Sequence, residues 1–516
     1  MSDERLTVGV IGAGTMGQGI AQLALQAGHK VVLVDQSSEQ LQRAKNSLDS
    51  LFTKFVNKEK ITQQDKVQWL SALTLSENND ALSDAKLVIE AIVERLDIKQ
   101  TVFQNLESIV SQDTILATNT SSLSVTAIAS CLKKPERFIG LHFFNPPGIM
   151  PLVEVIEALQ TSSDTTEICI KLMQSWGKSP VKCKNTPGFI VNRVARPFYI
   201  ESFRLIEDQI VTPSQLDSSL RNAGFKMGPC ELTDFIGQDV NYAVSCSVFD
   251  SLFYPPHLRP SLIQGSLVEA GFLGRKSGKG FYDYKQPSPH PSKPLSHNTS
   301  NQPSDKNNPT GDLKRYALFK AFGNHPWVAE QKAHLSSKIT DAKSAPHYDQ
   351  LIGILDSNVY VYASDGRLAA EWEYSCEHPV ILADIKNPNV LDTTVAIAAG
   401  PIAQKIMEGK QPEPLGNIHW TIVPDCPGLI NLRVLSMIIN EAAICATQGI
   451  ATPEGIDKAL KGGVNYPLGA FEWLDVIGIE VVINTLETLR RLYGSSCYTV
   501  PPMLMTQSNN KSIAKE

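Results

Sequence analysis

Leu6-Thr7-Val8-Gly9-Val10-Ile11 runs straight into Gly12-Ala13-Gly14-Thr15-Met16-Gly17, and a helix-period stretch, Ile20-Ala21-Gln22-Leu23-Ala24-Leu25, follows until Gly28. A second apolar run, 30–34, ends at Asp35. Strand, glycine turn, helix, strand and acid in about 30 residues make the βαβ unit of a doubly wound parallel sheet. In such a unit Gly12 permits the tight turn, Gly14 lets the backbone approach a pyrophosphate, and Gly17 lets the helix pack on the strand. The helix N-terminus offers unpaired N–H groups and partial positive charge to phosphates. Asp35, 18 residues past Gly17, would bond the ribose hydroxyls and repel a 2′-phosphate, and no arginine follows it, so NAD is expected in preference to NADP. The plainer alternative is a sheet that merely needs a glycine turn.

Further strand-like runs at 86–91, 114–118 and 137–144, separated by polar helical segments, extend this sheet into a Rossmann-type α/β domain over residues 1–185. Its last part, RFIGLHFFNPPGIMPLVEVIEA (137–158), reads as two strands around an Asn-Pro-Pro-Gly turn. His142 shares a face with Phe138 and Gly140; Glu154 shares one with Leu152 and Ile156. An ionised carboxylate among such neighbours is costly unless paired, and His142 stands just across the turn. That pair has the logic of a general base backed by an acid. A histidine satisfied by backbone beside an edge glutamate fits the pattern as well.

Beyond 185 the chain becomes helical. Residues 189–206 are apolar on nearly every face, with Pro197 expected to kink the helix. An all-α domain is expected over 186–285, a Pro/Ser/Asn-rich linker over 286–311, and a small α/β module without a glycine loop over 312–423, with strands at 351–355, 359–363, 380–385 and 394–399. A second, degenerate helical copy follows at 424–505 and a tail at 506–516. The repeat is direct: Pro187-Gly188-Phe189-Ile190 returns as Pro427-Gly428-Leu429-Ile430, Glu201 as Glu441, and the segment 227–237 as 468–478.

Composition narrows the function. Among 516 residues, 47 Lys+Arg against 53 Asp+Glu leave a net charge of −6, which gives nucleic acid or an anionic membrane no basic surface to bind. No apolar run reaches the ~18 residues of a membrane span. The nine cysteines are scattered singly without a C-x-x-C, so neither a disulfide frame nor a zinc site is expected. With two acids in Met1-Ser2-Asp3-Glu4-Arg5 where a signal peptide would be basic, a cytoplasmic protein is expected.

GAGTMGQGIA (12–21), EAIVE (90–94), NTSSL (119–123), GLHFFNP (140–146), LVEVI (152–156), TPGFIVNR (186–193) and GRKSGKGFYDY (274–284) stand in the order of the L-3-hydroxyacyl-CoA dehydrogenases, which the chain resembles closely over 6–285 and weakly over 424–505. The two helical copies with a module between them resemble the longer bacterial 3-hydroxyacyl-CoA and 3-hydroxybutyryl-CoA dehydrogenases, including those of aromatic-acid degradation, whose middle region is a reduced Rossmann-like domain. The resemblance implies NAD-dependent oxidation of an L-3-hydroxyacyl-CoA to a 3-ketoacyl-CoA in fatty-acid or aromatic-acid degradation. It implies His142 as base, Glu154 as its support, and Ser121 and Asn192 at the reacting oxygen and thioester. Cofactor contacts fall on Gly12, Ala13, Gly14, Thr15, Met16, Gly17, Asp35, Glu94, Lys99, Asn145 and Lys276. CoA phosphates would meet the Lys54/Lys58/Lys60 stretch, with Lys58 the first choice.

Read without the family, Ser121 is equally a helix cap, Asn192 a buried structural hydrogen bond and Lys58 part of a solvated helix face. A dehydrogenase of a free 3-hydroxy or sugar acid and a crystallin-like NAD-binding protein are the competing functions; the intact Ser121, His142, Glu154 and Asn192 speak against the latter. The second copy has Leu432 where the first has Asn192, and no glycine loop precedes it. One active site per chain is expected, with the helical copies packed as an internal pseudo-dimer and homo-oligomers possible. A substrate with a distal carboxylate would want a cation, for which Arg193, Arg196 and Arg221 are available.

Overall fold

A computed structural model describes residues 5–285, 318–319, 351–355, 359–386, 393–407 and 418–513; the expected linker 286–311 lies outside them. The first sheet contains β1 (Thr7–Ile11), β2 (Lys30–Val34), β3 (Leu73–Ser76), β4 (Leu87–Glu90), β5 (Ile115–Thr118), β6 (Phe138–Phe143), β7 (Leu152–Glu157) and β8 (Ser179–Lys184). They lie in the order β3-β2-β1-β4-β5-β6-β7-β8, reversing direction between β1 and β4 as a doubly wound sheet does. All neighbours are parallel except β6 and β7. The central strands are apolar throughout because helices cover both faces: Val8, Val10, Leu33, Ile89, Ile139, Leu141, Val153 and Val155 form one core with Ile20 and Leu23 of the helix Thr15–Gln26. Strands β3 and β8 were not expected. Leu-Thr-Leu-Ser and Ser-Pro-Val-Lys-Cys-Lys lie at the two edges, where alternating polar residues are tolerated and no apolar run announces a strand.

The apolar stretch after β8 breaks where proline requires. Helix Val191–Val194 stops, Ala195 is a turn, and Arg196–Glu207 continues. Pro197 has no N–H to offer the carbonyl of Arg193, so the kink becomes a break.

The second sheet joins β9 (Leu318–Phe319), β10 (Leu351–Leu355), β11 (Val359–Ala363), β12 (Val380–Ala383), β13 (Thr393–Ala399) and β14 (Ile418–Ile422) in the order β14-β13-β12-β11-β10-β9. The strands expected at 351–355, 359–363, 380–385 and 394–399 are present; β9 and β14, the latter with His and Thr alternating with apolar residues, lie beyond them. Strands β11 to β14 pair parallel, antiparallel, parallel, as β5 to β8 do. The residue two positions before each Pro-Gly pair plays the same supporting part. Asn185 accepts the N–H of Val125 at 2.9 Å, and Asp425, 240 residues on, accepts those of Ala369 and Ala370 at 2.8 and 3.0 Å. Among the described residues the middle module therefore repeats the β5–β8 half of the first sheet, without a counterpart of the half that carries the glycine loop.

The described chain forms two compact units: Met1–Ala195 with Glu441–Phe471, and Arg196–Asn440 with Glu472–Glu516. In the first, the helix Pro453–Val464 lies on β7 and β8; in the second, its counterpart Pro213–Asn222 lies on β13. Each unit also contains one buried ion pair joining the two helical copies, Arg193 to Glu441 and Arg433 to Glu201, both at 2.6 Å. The stretch expected as a tail from residue 506 is helical, in Pro502–Ile513. No helix among the described residues is long and apolar enough to cross a membrane.

Candidate active site

The glycine loop closes on itself tightly. Gly12 has φ 98°, and a Cβ on Gly17 would stand 1.8 Å from the Gly12 carbonyl oxygen, so neither position accepts a side chain. A Cβ on Gly14 would meet nothing within 4 Å: the face above it is open. Gly14 starts the helix Thr15–Gln26 without a side-chain cap, and no acid stands in the first turn, so the first N–H groups of the helix have no side-chain acceptor at the cap. Asp35 ends β2 beside them, its carboxylate accepting the N–H of Ala13 at 2.8 Å and of Ser37 at 3.0 Å. An open, donor-rich turn with a carboxylate on its flank fits the pyrophosphate and ribose of a dinucleotide.

Across the sheet His142 and Glu154 stand directly opposite each other on antiparallel β6 and β7. His142 Nδ1 lies 2.6 Å from Glu154 Oε2, which leaves Nε2 as the ring nitrogen available to a substrate. Both side chains are buried, Glu154 fully, and the rings of Phe144 and Phe189 flank the imidazole at 4.5 and 5.9 Å. The other oxygen, Glu154 Oε1, accepts the backbone N–H of Ile190 and Val191 at 3.0 and 2.9 Å. One buried carboxylate thus holds the imidazole and the start of the helix that carries Asn192. The Asn192 amide donates to the Ser121 carbonyl at 3.4 Å, a long bond that brings Asn192 and Ser121 together.

Ser121 belongs to the turn after β5, and Glu94 holds that turn. Its Oε1 accepts from Thr120 Oγ1 at 2.6 Å, from the N–H of Ser121 and Ser122 at 2.9 and 3.1 Å, and from Ser122 Oγ at 3.0 Å. Burial pushes the Glu94 carboxyl up, but the Thr120 hydroxyl, the Lys99 charge and the two serines outweigh it and hold it below the usual range. Lys99 is buried, 1% exposed, between Glu90 at 2.5 Å and Glu94 at 3.3 Å. The helix cap of the following segment is Ser124, which accepts from Ala127, so the capping role considered for Ser121 falls to its neighbour.

The remaining residues are spread out. Asn145 is exposed after β6, in the cis Asn145-Pro146 turn. Lys58 is exposed where the helix Ser38–Asn57 ends. Lys276 lies in the other unit, 2.5 Å from Asp239. Arg193 is committed to Glu441 and Arg221 to Glu231, which leaves both paired already. Glu90, Thr120 and Ser122 escaped the sequence reading. The signal for Glu90 was present, a carboxylate at the end of the apolar run Leu87-Val88-Ile89, on a strand buried throughout.

The middle module shows what the same framework looks like without the chemistry. Asp384 N–H donates to the Ala396 carbonyl at 2.9 Å, which places Asp384 opposite Ala396 as His142 is opposite Glu154. The Asp384 carboxylate accepts the N–H of Ile430, Asn431 and Leu432 at 3.1, 2.6 and 3.1 Å, so it serves the helix start that Glu154 serves in the first copy. Burial pushes its pKa up to about 7 against these donors. The positions of His142, Glu154 and Asn192 are Asp384, Ala396 and Leu432, so the histidine, its glutamate and the asparagine are all replaced.

A base held by a carboxylate, near a loop shaped for a dinucleotide, is the equipment of NAD-linked alcohol oxidation. The family described as "3-hydroxyacyl-CoA dehydrogenase, NAD binding domain" matches residues 7–186, and "3-hydroxyacyl-CoA dehydrogenase, C-terminal domain" matches 188–284 and again 428–515. The 3-hydroxyadipyl-CoA dehydrogenase of Escherichia coli is 38% identical over 495 residues, 95% of each chain. The mitochondrial hydroxyacyl-coenzyme A dehydrogenase of Rattus norvegicus is 42% identical over 54% of this chain and 91% of its own. Among solved structures, a 3-hydroxybutyryl-CoA dehydrogenase from Escherichia coli K12 superposes with a TM-score of 0.81 at 36% identity, covering 99% of both chains. The chain belongs to the 3-hydroxyacyl-CoA dehydrogenase family, and is an NAD-dependent oxidoreductase of that family.

Proposed function

We propose that this chain oxidises the 3-hydroxyl of an L-3-hydroxyacyl-CoA to the ketone, with His142 as general base, in fatty-acid or aromatic-acid degradation in the cytoplasm. The observation that carries the reading is the His142–Glu154 contact of 2.6 Å on adjacent strands of the sheet whose other half bears the dinucleotide loop. A bound nicotinamide supplies the hydride acceptor. His142 Nε2 takes the hydroxyl proton as C3 becomes a carbonyl. Glu154 keeps Nδ1 protonated, so that Nε2 is the basic nitrogen, and stabilises the imidazolium that forms. Ser121 and Asn192, joined through the Ser121 carbonyl, orient the reacting oxygen and the thioester. Gly12 to Gly17 and Asp35 bind the dinucleotide, with Glu94 and Asn145 completing its contacts, and Lys58 meets a CoA phosphate.

We read the two helical copies as an internal pseudo-dimer. The reciprocal pairs Arg193–Glu441 and Arg433–Glu201 support it, since each copy supplies the arginine of one and the glutamate of the other. Only the first copy has the histidine–glutamate pair and the asparagine, so one active site per chain is expected.

The test is NADH formation with L-3-hydroxybutyryl-CoA, 3-hydroxyadipyl-CoA and free 3-hydroxybutyrate. Turnover of either thioester well above the free acid supports the proposal. Turnover of the free acid alone would replace it with a dehydrogenase of free hydroxy acids.

A further inference from the structure

The segment Glu441–Phe471 comes from the second helical copy, yet it belongs to the compact unit that holds His142 and Glu154. It covers the β8 edge of the sheet: the Lys184 N–H donates to the Ile450 carbonyl at 3.0 Å, and Lys458 Nζ donates to the Pro180 carbonyl at 3.3 Å. Its helix Pro453–Val464 rests on β7, β8 and the helix Val191–Val194. Near the end of that helix stands Gly463, which is buried. A Cβ there would lie 2.7 Å from Leu152 Cδ2, 3.1 Å from Val191 Cγ2 and 3.4 Å from Phe144 Cε1. Each of these neighbours adjoins one member of the catalytic pair. The Phe144 ring flanks His142 at 4.5 Å. Leu152 precedes Glu154 by two residues, on the same face of β7, and the Val191 N–H donates to Glu154 Oε1 at 2.9 Å.

We propose that Gly463 is a positioning residue for the reaction: by letting the second copy seat directly on Phe144, Leu152 and Val191, it fixes His142 against Glu154 and sets the start of the helix that carries Asn192. This rests on the functional reading above. Glycine inside a helix is unfavourable for backbone entropy, so a buried one calls for a packing reason. The internal repeat supplies the comparison. The first copy has Asn222 and Ala223 where the second, 240 residues on, has Gly462 and Gly463. Asn222 donates its amide to the Thr394 carbonyl, and Thr394 stands two residues before Ala396 as Leu152 stands two before Glu154. Opposite the small Thr394 the helix keeps its side chains. Opposite Leu152, beside the glutamate that holds the base, both are absent. Arg193, the neighbour of Asn192, is tied to the same segment by its 2.6 Å ion pair with Glu441. A copy without the histidine, glutamate and asparagine thus braces those of the other, and one site needs both copies.

A side chain added at 463 presses on all three neighbours, and the buried Leu152 and Val191 have little room to yield. The variants are Gly463→Val, Gly463→Ala and Gly463→Val/Leu152→Ala, with Leu152→Ala as the reference for the last. Three quantities are measured on each: melting temperature, amide hydrogen exchange of peptides spanning 187–194, and kcat with acetoacetyl-CoA at saturating NADH. Displacing reacting groups by about 1 Å costs on the order of 10²-fold in rate. For a folded Gly463→Val the expected result is kcat lowered about tenfold or more, with exchange at Ile190 and Val191 about tenfold faster. Truncating Leu152 returns the space that valine takes, so the double variant should reach a kcat within about threefold of Leu152→Ala. A folded Gly463→Val with wild-type kcat and exchange overturns the proposal. So does a loss of kcat that the Leu152→Ala change leaves unrecovered, which a general weakening of the fold would produce. Should Gly463→Val not fold, Gly463→Ala decides by the same readings, with a drop in kcat of about threefold or more expected and a wild-type kcat overturning the proposal. Exchange does not depend on the substrate, so a wild type inert toward acetoacetyl-CoA would fail the functional reading while the exchange result still decides whether Gly463 keeps the Glu154 bonds in place.

Discussion

Glu154 carries two tasks on two oxygens, and they can be separated by substitution. In Glu154→Gln the amide oxygen can keep the N–H groups of Ile190 and Val191 while the amide nitrogen faces His142 Nδ1. A donor there favours the wrong imidazole tautomer, so kcat should fall by roughly 10²- to 10⁴-fold with little change in melting temperature. Glu154→Ala should lose the rate and, by stranding two buried N–H groups, about 1–3 kcal/mol of stability as well. Gly17→Ala is a different kind of failure. With its Cβ 1.8 Å from the Gly12 oxygen the turn must open, and titration of NADH fluorescence should show binding lost. At this scale the sequence was informative: spacing marked the glycine loop, and alternation put His142 and Glu154 on facing strands. It could not reveal the second task of Glu154, because the N–H groups it serves lie 36 and 37 residues away. The ion pairs of Lys99 with Glu90 and Glu94 left no pattern in the sequence that pointed to Glu90.

Among the elements, the same helix start is fastened to a sheet twice, by Glu154 in one copy and by Asp384 in the other, from neighbouring strands. Asp384→Ala removes the acceptor of the N–H groups of Ile430, Asn431 and Leu432. We expect a loss of about 1–3 kcal/mol in chemical denaturation, with NADH binding and kcat unaltered; a matching loss of activity would mean that the middle module contributes to the reaction. The central strands were readable because burial on both faces makes them continuously apolar. The edge strands β3, β8 and β14 were not, since an edge tolerates Thr, Lys and His at alternate positions and such segments resemble loops. Pro197 was readable as a helix defect, and Ala195 marks where the break falls.

For the molecule as a whole, the internal repeat in the sequence pointed to two helical copies, and Glu201 and Glu441 were recognised as counterparts. Their partners were not foreseeable, because pairing across more than 230 residues leaves no local pattern: Glu201 meets Arg433 and Glu441 meets Arg193. Arg433 is fully buried and also meets the hydroxyls of Tyr493 and Tyr498. Arg433→Met should cost about 3–5 kcal/mol, and Glu201→Gln in the same chain should recover part of that loss, a coupling that a double-mutant cycle on urea unfolding measures directly. Additive losses would show that the pair contributes nothing as a pair. The central claim, that His142 is the base for oxidation of a 3-hydroxyacyl thioester, is tested most directly in the reverse direction, by following NADH absorbance with acetoacetyl-CoA for the wild type and His142→Gln. The account predicts rapid NADH consumption by the wild type and a loss of about 10²-fold or more in kcat for the variant, with NADH binding retained. A variant that turns over acetoacetyl-CoA at the wild-type rate would contradict it.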